Sequence, residues 1–400
     1  MKAVIIGASS EALHTIEMAH KHGLNVMALD GNPDAQGLKA ADQGRVVDIS
    51  DEAATIEAVR REGADFVLTV PIGRYLTSIG AVNDVLGLPG ISRQMAVICT
   101  DKFRFHQCLQ EKGLRNCHCY LTEQRKITGS DGTEYEREDL RKLGLKFPVI
   151  LKPRYGSGSR GIYMANSMEE MENALEEIGD ESYVLEECVA GEEYGIDGVV
   201  TKDGFQMILL RKKENTPPPA RQAVGYLAVQ RTDVFWQQVY TYMKQVTEHL
   251  NLRECLLHAD IIRGEKGPFV IELSARPSGH NLHNLFTPLS TGVDMAEEYI
   301  KYRMGLSYCF EPNVIKPMII HYFDMQGMVT RIPTEEEVRK TVHTRLAAWE
   351  CNIKAGEKLK PVSDGHSVMG RGYFILQGED EKILKEDVLR VKELFFSFHQ

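Results

Sequence analysis

Residues 259–279 constrain the fold more than any other stretch of the chain. The runs Ala259-Asp260-Ile261-Ile262-Arg263 and Phe269-Val270-Ile271-Glu272-Leu273 are apolar and rich in β-branched residues, and Gly264-Glu265-Lys266-Gly267-Pro268 between them is dense in turn formers. That pattern reads as a hairpin. With those five residues as the loop, Arg263 pairs with Phe269 and Asp260 falls opposite Glu272. Like charges facing each other across two strands destabilise a sheet unless something compensates. A divalent cation is the simplest compensation, because hard Mg²⁺ takes carboxylate oxygens and shares them with nucleotide phosphates. Arg276, four residues past Glu272, adds a cation suited to a phosphate or carboxylate ligand. A solvated strand pair with unrelated charges is the competing reading.

The 400 residues are enough for two or three domains with a large core. A net charge of −10 argues against nucleic acid or an anionic membrane as the main partner, without excluding a local basic cleft. No apolar run approaches the roughly 18 residues of a membrane helix. The first apolar run, Ala3 to Ile6, is too short for a signal peptide. The eight cysteines have no framework spacing, and Cys117-His118-Cys119 lacks a second ligand pair for zinc. Reduced thiols and a cytoplasmic location are therefore expected.

From residue 1 to about 95, strand-like and helix-like segments alternate: strands at 3–7, 25–30 and 65–71, helices at 11–22 and 53–62. Such β-α repeats imply a doubly wound parallel sheet. Asp30 lies at about the distance at which dinucleotide folds place their ribose acid. Gly7-Ala8-Ser9-Ser10-Glu11-Ala12, however, lacks two of the three fingerprint glycines, and Glu11 would face a pyrophosphate. Beyond Thr100 come a helix opened by Asp101-Lys102, a polar insertion at 122–141 and the apolar run Phe147 to Pro153 containing Lys152. The glycine-rich Gly156-Ser157-Gly158-Ser159-Arg160-Gly161 follows. Its amides can approach phosphate oxygens unobstructed by Cβ atoms, but it lacks the ending of a P-loop. An ordinary surface turn is the alternative. Lys152 is placed as a point charge for a phosphate or as a snorkelling strand end. Arg211-Lys212-Lys213 reads equally as phosphate contacts or as a solvated strand end.

In type and order these motifs resemble the ATP-grasp superfamily, of the carboxylate–amine ligase type within its carboxylase-like and purine-synthesis-like branch. The shared pattern runs from Asp101-Lys102 through Lys152-Pro153, the glycine-rich loop, Glu186-Glu187 and Gly191-Glu192-Glu193-Tyr194 to the acidic hairpin and Arg276. The resemblance implies an α/β and α+β multidomain protein. Residues 1–95 would form the N-terminal doubly wound parallel α/β domain, and 96–305 the ATP-grasp fold with a lid at about 155–225. Residues 306–400, with Gly370-Arg371-Gly372, would form a small C-terminal α+β subdomain.

Carried over residue by residue, the resemblance gives Lys102 and Lys152 the ATP phosphates, with Ser157 and Gly158 in a loop closing over them. Glu186 would meet the adenine amino group, the main chain of Glu187 and Val189 would line the adenine edge, and Glu193 would take the ribose hydroxyls. Asp260 and Glu272 would hold Mg²⁺, or Mn²⁺ in its place, while Arg276 and Lys152 would serve the chemistry. Ser274 departs from the asparagine usual there, which puts a second metal ion in doubt. The implied activity is ATP-dependent ligation of a small carboxylic acid or amino acid to an amine through an acyl phosphate, releasing ADP and phosphate. A bicarbonate-using carboxylase and a non-catalytic nucleotide-binding regulator stay open as alternatives. Small carboxylate and amine substrates are the implied partners, and a homodimer is common among proteins resembling this one. Ser278 and His280 border the expected substrate end, with His280 reading equally as a structural turn residue. Arg74, after the strand at 65–71, is placed to reach a substrate carboxylate from the N-terminal domain, whereas His258 reads as a core histidine.

Overall fold

Strand Lys2–Ile6 is apolar on both faces, which a strand tolerates only when both sides of its sheet are covered. Val4 and Ile6 pack into one core with Met27, Leu29 and Val67. Ala3 and Ile5 pack into another with Val26, Phe66 and Leu68. The result is a four-stranded parallel sheet in the order Gln43–Val46, Asn25–Asp30, Lys2–Ile6, Phe66–Leu68. This is the expected N-terminal doubly wound domain. The structure is a computed structural model describing residues 1–156, 158, 160–217, 221–362 and 365–396, with backbone only at 137, 138 and 366.

Asp30 answers the dinucleotide question. Its Oδ2 accepts from Ala8 N at 2.6 Å and its Oδ1 from Asn32 N at 2.8 Å, so both oxygens tie down neighbouring turns.

A six-stranded antiparallel sheet follows, in which Tyr183–Glu187 lies between Cys119–Glu123 and Val149–Pro153. The polar insertion supplies its outer strands, Lys126–Gly129 and Glu134–Tyr135. Helix Met168–Ile178 covers one face. Ser167 caps it, and Met171, Ala174, Leu175 and Ile178 form its buried stripe at helical spacing.

The third sheet has eight strands and runs across the boundary expected near residue 305. Its order is Gly267–Ser274, Cys255–Gly264, Glu192–Thr201, Gly204–Asn215, Ala223–Ala228, Met318–Tyr322, Gly372–Gln377, Arg345–Cys351. Pro217-Pro218-Pro219 mark 214–225 as a loop that closes the site or only connects strands at the surface. It is shorter than that, because the strands run to Asn215 and resume at Ala223. Pro218 and Pro219, read as closing the site, lie outside the described residues.

The acidic hairpin forms with one change of register. Gly264 pairs with Gly267 and Arg263 with Pro268, so only Glu265 and Lys266 turn the chain. Gly267, at φ 108°, supplies the backbone conformation that such a tight turn needs. A bulge between Asp260 and Ile261 then shifts the pairing back, and Asp260 faces Glu272 as expected. Ile271 is the extra residue, and bulges commonly re-aim side chains beside functional sites.

Candidate functional site

The six-stranded and eight-stranded sheets face each other across a cavity of about 1030 Å³, which N-terminal loops close at one end. Lys102, Lys152, Gly158, Glu186, Glu187, Val189, Glu193, Asp260, Glu272 and Arg276 all line it. Ser157 lies outside the described residues.

At the end formed by the six-stranded sheet, the buried Lys152 ammonium donates to Glu186 Oε1. The Arg115 Nη2 atom lies 2.7 Å from Glu186 Oε2. Burial alone would raise the Glu186 pKa, but the two cations outweigh it and hold the carboxyl at about 2. Each Glu186 oxygen thus already accepts from a cation, and any contact to a base amine comes on top of these. The Glu187 side chain turns away, accepting from the backbone of His118 and Lys146. Lys102 Nζ donates to Gly156 O at 2.7 Å, and burial holds its pKa below the ordinary lysine value against the pull of Glu272.

On the opposite wall, Glu193 Oε1 accepts from Arg221 at 2.5 Å. Arg221 takes the left-handed conformation, at φ 45°, just before strand Ala223–Ala228. Asp260 faces Glu272 and makes a 2.7 Å ion pair with Lys213 through Oδ2. Its Oδ1 lies 3.4 Å from His258 Nε2 and is buried without a hydrogen-bond partner among the described residues. Burial pushes the Asp260 pKa up, yet Lys213 and His258 hold it far below the carboxylate range. An ionised carboxylate with an uncommitted buried oxygen, opposite a second carboxylate, is a donor set that fits a hard divalent cation. Ser274 pairs with His258 across the strands and does not line the cavity.

The third group lies near the N-terminal domain. Arg276 donates to Pro277 O at 2.7 Å and keeps a buried Nε without a partner among the described residues; burial lowers its pKa against the pull of Glu272 and Glu11. Glu11 Oε1 accepts from His280 N at 2.8 Å, while its Oε2 is buried without a partner among them. Burial raises the Glu11 pKa, although His280 N and Arg276 oppose the shift. Ser278, only 1% exposed, adds another partnerless oxygen. His280 and Asn281 are consecutive non-glycine residues at φ 64° and 57°. Such backbone strain is typical of functional loops. Glu11 holds this loop by an amide and Tyr322 holds it by the His280 carbonyl.

Residues 145–283 match the family model of the ATP-grasp domain. That stretch, about a third of the chain, is similar to ATP-grasp domains. It is 28% identical over 196 residues to the D-alanine–D-alanine ligase of Lacticaseibacillus casei (strain BL23), covering 43% of this chain and 48% of that protein. To the dapdiamide A synthase of Enterobacter agglomerans it is 25% identical over 145 residues, covering 33% and 34%. The chain therefore spans about a third to a half the length of these curated relatives. In fold it is similar to the L-amino acid ligase of Bacillus licheniformis, with a TM-score of 0.77, 18% identity, and coverage of 98% of this chain and 96% of that one.

Against the ATP-grasp pattern, three sequence expectations change. Lys213 and Arg211 are not a solvated strand end: Lys213 is paired with Asp260, and Arg211 is fully buried on Asp197 and Thr287. Only Lys212, paired with Glu192, faces outward. His258 is a cavity-wall residue whose Nδ1 lies 3.1 Å from Ile196 O. Arg74 is exposed, stacks on Tyr75 and does not line the cavity. Arg371 is turned onto the carbonyls of Phe323, Met325 and Lys360, leaving Gly370 at the cavity wall. Sequence reasoning missed Arg115 altogether and weighed Glu11 only against a pyrophosphate.

Proposed function

We propose that this protein is an ATP-dependent carboxylate–amine ligase of the ATP-grasp type, acting on an amino acid or small carboxylic acid through an acyl phosphate. The observation that carries the reading is the convergence of three groups on one cavity. These are a lysine-rich nucleotide end, the facing pair Asp260 and Glu272, and an Arg276–Glu11 end with unsatisfied polar atoms.

In this reading Lys102, Lys152 and Lys213 neutralise the phosphates, and Gly156–Gly161, with Ser157 and Gly158, closes over them. The main chain of Glu187 and Val189 meets the adenine edge, with Glu186 behind it. Glu193 takes the ribose hydroxyls after exchanging its contact to Arg221. Asp260 and Glu272 would hold Mg²⁺, which would supply neutralisation of phosphate charge. A substrate carboxylate oxygen attacks the γ-phosphorus, ADP leaves, and Arg276 steadies the negative charge on the acyl phosphate. The amine then attacks the acyl carbon, loses a proton and expels phosphate. Burial of the reacting end excludes water, which would otherwise hydrolyse the intermediate.

The test is phosphate release from Mg·ATP across amino acids, small carboxylates and amines, singly and in pairs. Release of ADP and phosphate that needs one acid plus one amine supports the proposal. Release with bicarbonate alone would replace it by the carboxylase reading, and tight ATP binding without any turnover would refute catalysis.

A further inference from the structure

Three cations on the cavity wall lie against an acid, whereas Lys102 and Arg276 donate to backbone carbonyls. Lys213 is paired with Asp260 at 2.7 Å and Arg221 with Glu193 at 2.5 Å. Lys152 on Glu186 alone would be a third neutral pair, adding nothing to the pull of Lys102 on a polyphosphate. Arg115 changes that sum. Its guanidinium is 1% exposed and does not line the cavity, yet it shares the Glu186 carboxylate with Lys152. Two cations on one carboxylate leave one buried positive charge. Such a charge is poorly screened and costly without a counter-ion. Lys152 is the cation of the three-residue cluster that faces the cavity. An anion that neutralises the cluster therefore docks there.

Among the described residues, no further acid pairs with Lys152 or Arg115. His106 is fully buried beside the cluster, and burial pushes its pKa down to about 3, so the ring is neutral. His106, Cys119 and Glu186 approach one another closely enough to hold a metal. The two cations already on Glu186 disfavour a third. Arg115 also donates to Ile271 O at 3.2 Å and sits over the Phe269 ring at 4.8 Å. It thereby ties the Glu186 strand to the bulged residue just before Glu272.

We infer that Arg115, acting through Glu186, is the positioning residue that supplies the net positive charge by which Lys152 holds a nucleotide polyphosphate. The inference rests on the nucleotide reading above. It is tested by calorimetric binding of Mg·ADP and of adenosine to the full chain. Arg115→Met should weaken Mg·ADP by about tenfold or more while leaving adenosine within about twofold. Arg115→Lys should keep Mg·ADP within about threefold of the unaltered protein. Arg115→Met/Glu186→Gln, which returns one net positive charge to Lys152, should recover most of the lost affinity.

Equal loss of ADP and adenosine, or no recovery in the double variant, would reduce Arg115 to a packing residue and overturn the inference. If Arg115→Met does not fold by circular dichroism, the double variant is compared with Glu186→Gln. That single variant carries one more positive charge and should bind Mg·ADP at least about threefold more tightly than the double; equal affinities overturn the inference. An unaltered protein that binds neither ligand sinks the nucleotide reading and this inference together. ADP binding that Arg115→Met does not weaken sinks this inference alone.

Discussion

Replacing Lys213 with Met should expose the cost of two facing carboxylates. At the 2.7 Å separation of Lys213 Nζ and Asp260 Oδ2, an effective dielectric of 20 gives about 6 kcal/mol of attraction. Removing the lysine also removes its own desolvation penalty. Breaking a buried pair nevertheless leaves a net loss of about 3–5 kcal/mol, because the remaining charge has no partner. Here that charge is Asp260, already opposite Glu272. Urea unfolding followed by the fluorescence of Trp236, buried in the helix Val234–His249, should show a midpoint well below that of the unaltered protein. Saturating Mg²⁺ should then stabilise Lys213→Met more than it stabilises the unaltered chain, because the cation takes over the compensation. Arg211→Met is the control. It breaks the more deeply buried pair with Asp197 and should lose at least comparable stability. Mg²⁺ should give it no extra recovery. If Lys213→Met matches the unaltered protein in metal-free urea, or Mg²⁺ rescues both variants alike, the reasoning about this site is wrong.

Glu11→Gln keeps an oxygen for His280 N but loses the charge at the Arg276 end. Initial-rate kinetics should show KM for the organic substrate up by about tenfold, with nucleotide affinity unchanged by calorimetry. His14 is bound to Asp294 at 2.7 Å, linking helix Leu13–Lys21 to the start of helix Met295–Arg303. The Asp294 hydrogen bond raises the His14 pKa against burial, so this link contributes fully below the ordinary histidine pKa of about 6.5. It is lost as pH rises through the raised value. Urea midpoints of the unaltered protein and His14→Gln should therefore differ by about 1 kcal/mol near pH 6 and converge toward pH 9. Asp30→Ala removes the acceptor for Ala8 N and Asn32 N and should cost about 1–3 kcal/mol by urea melt. Its Mg·ATP affinity should not change.

The fold was legible where a local pattern dictates a local answer. Strand Lys2–Ile6 announces a two-sided parallel sheet because every residue after Lys2 is apolar. The two β-branched runs at 255–274 announce a hairpin. Register was only partly readable. Gly267 adopts φ 108° and tightens the turn, while the bulge restores Asp260 to Glu272. Two one-residue errors cancelled, and nothing in the spacing alone could have separated them from a simple five-residue loop. The 214–225 segment misled because three consecutive prolines mark a loop but say nothing about how far the flanking strands reach.

The site divides along the same line. Residues that carry a motif, such as Lys152, Glu272 and Arg276, could be placed on the cavity because their neighbours in the chain identify them. Residues that act by pairing could not. Lys213 meets Asp260 although strand Glu192–Thr201 lies between their strands. Gly195 pairs with Asp260 on one side and Arg211 on the other. A Cβ there would stand 3.7 Å from Asp260 Oδ1, Arg211 Nη2 and His258 Cε1, in ordinary van der Waals contact with all three, so the charges gather around this position. Arg115 is harder still, because it follows a glycine turn as an unremarked basic residue and gains meaning only when Glu186 is seen holding two cations. A run of basic residues in a sequence gives a count of charges. What an arriving polyphosphate meets is the charge left after each buried acid has chosen its partners, and that remainder is decided by contacts between strands far apart in the chain.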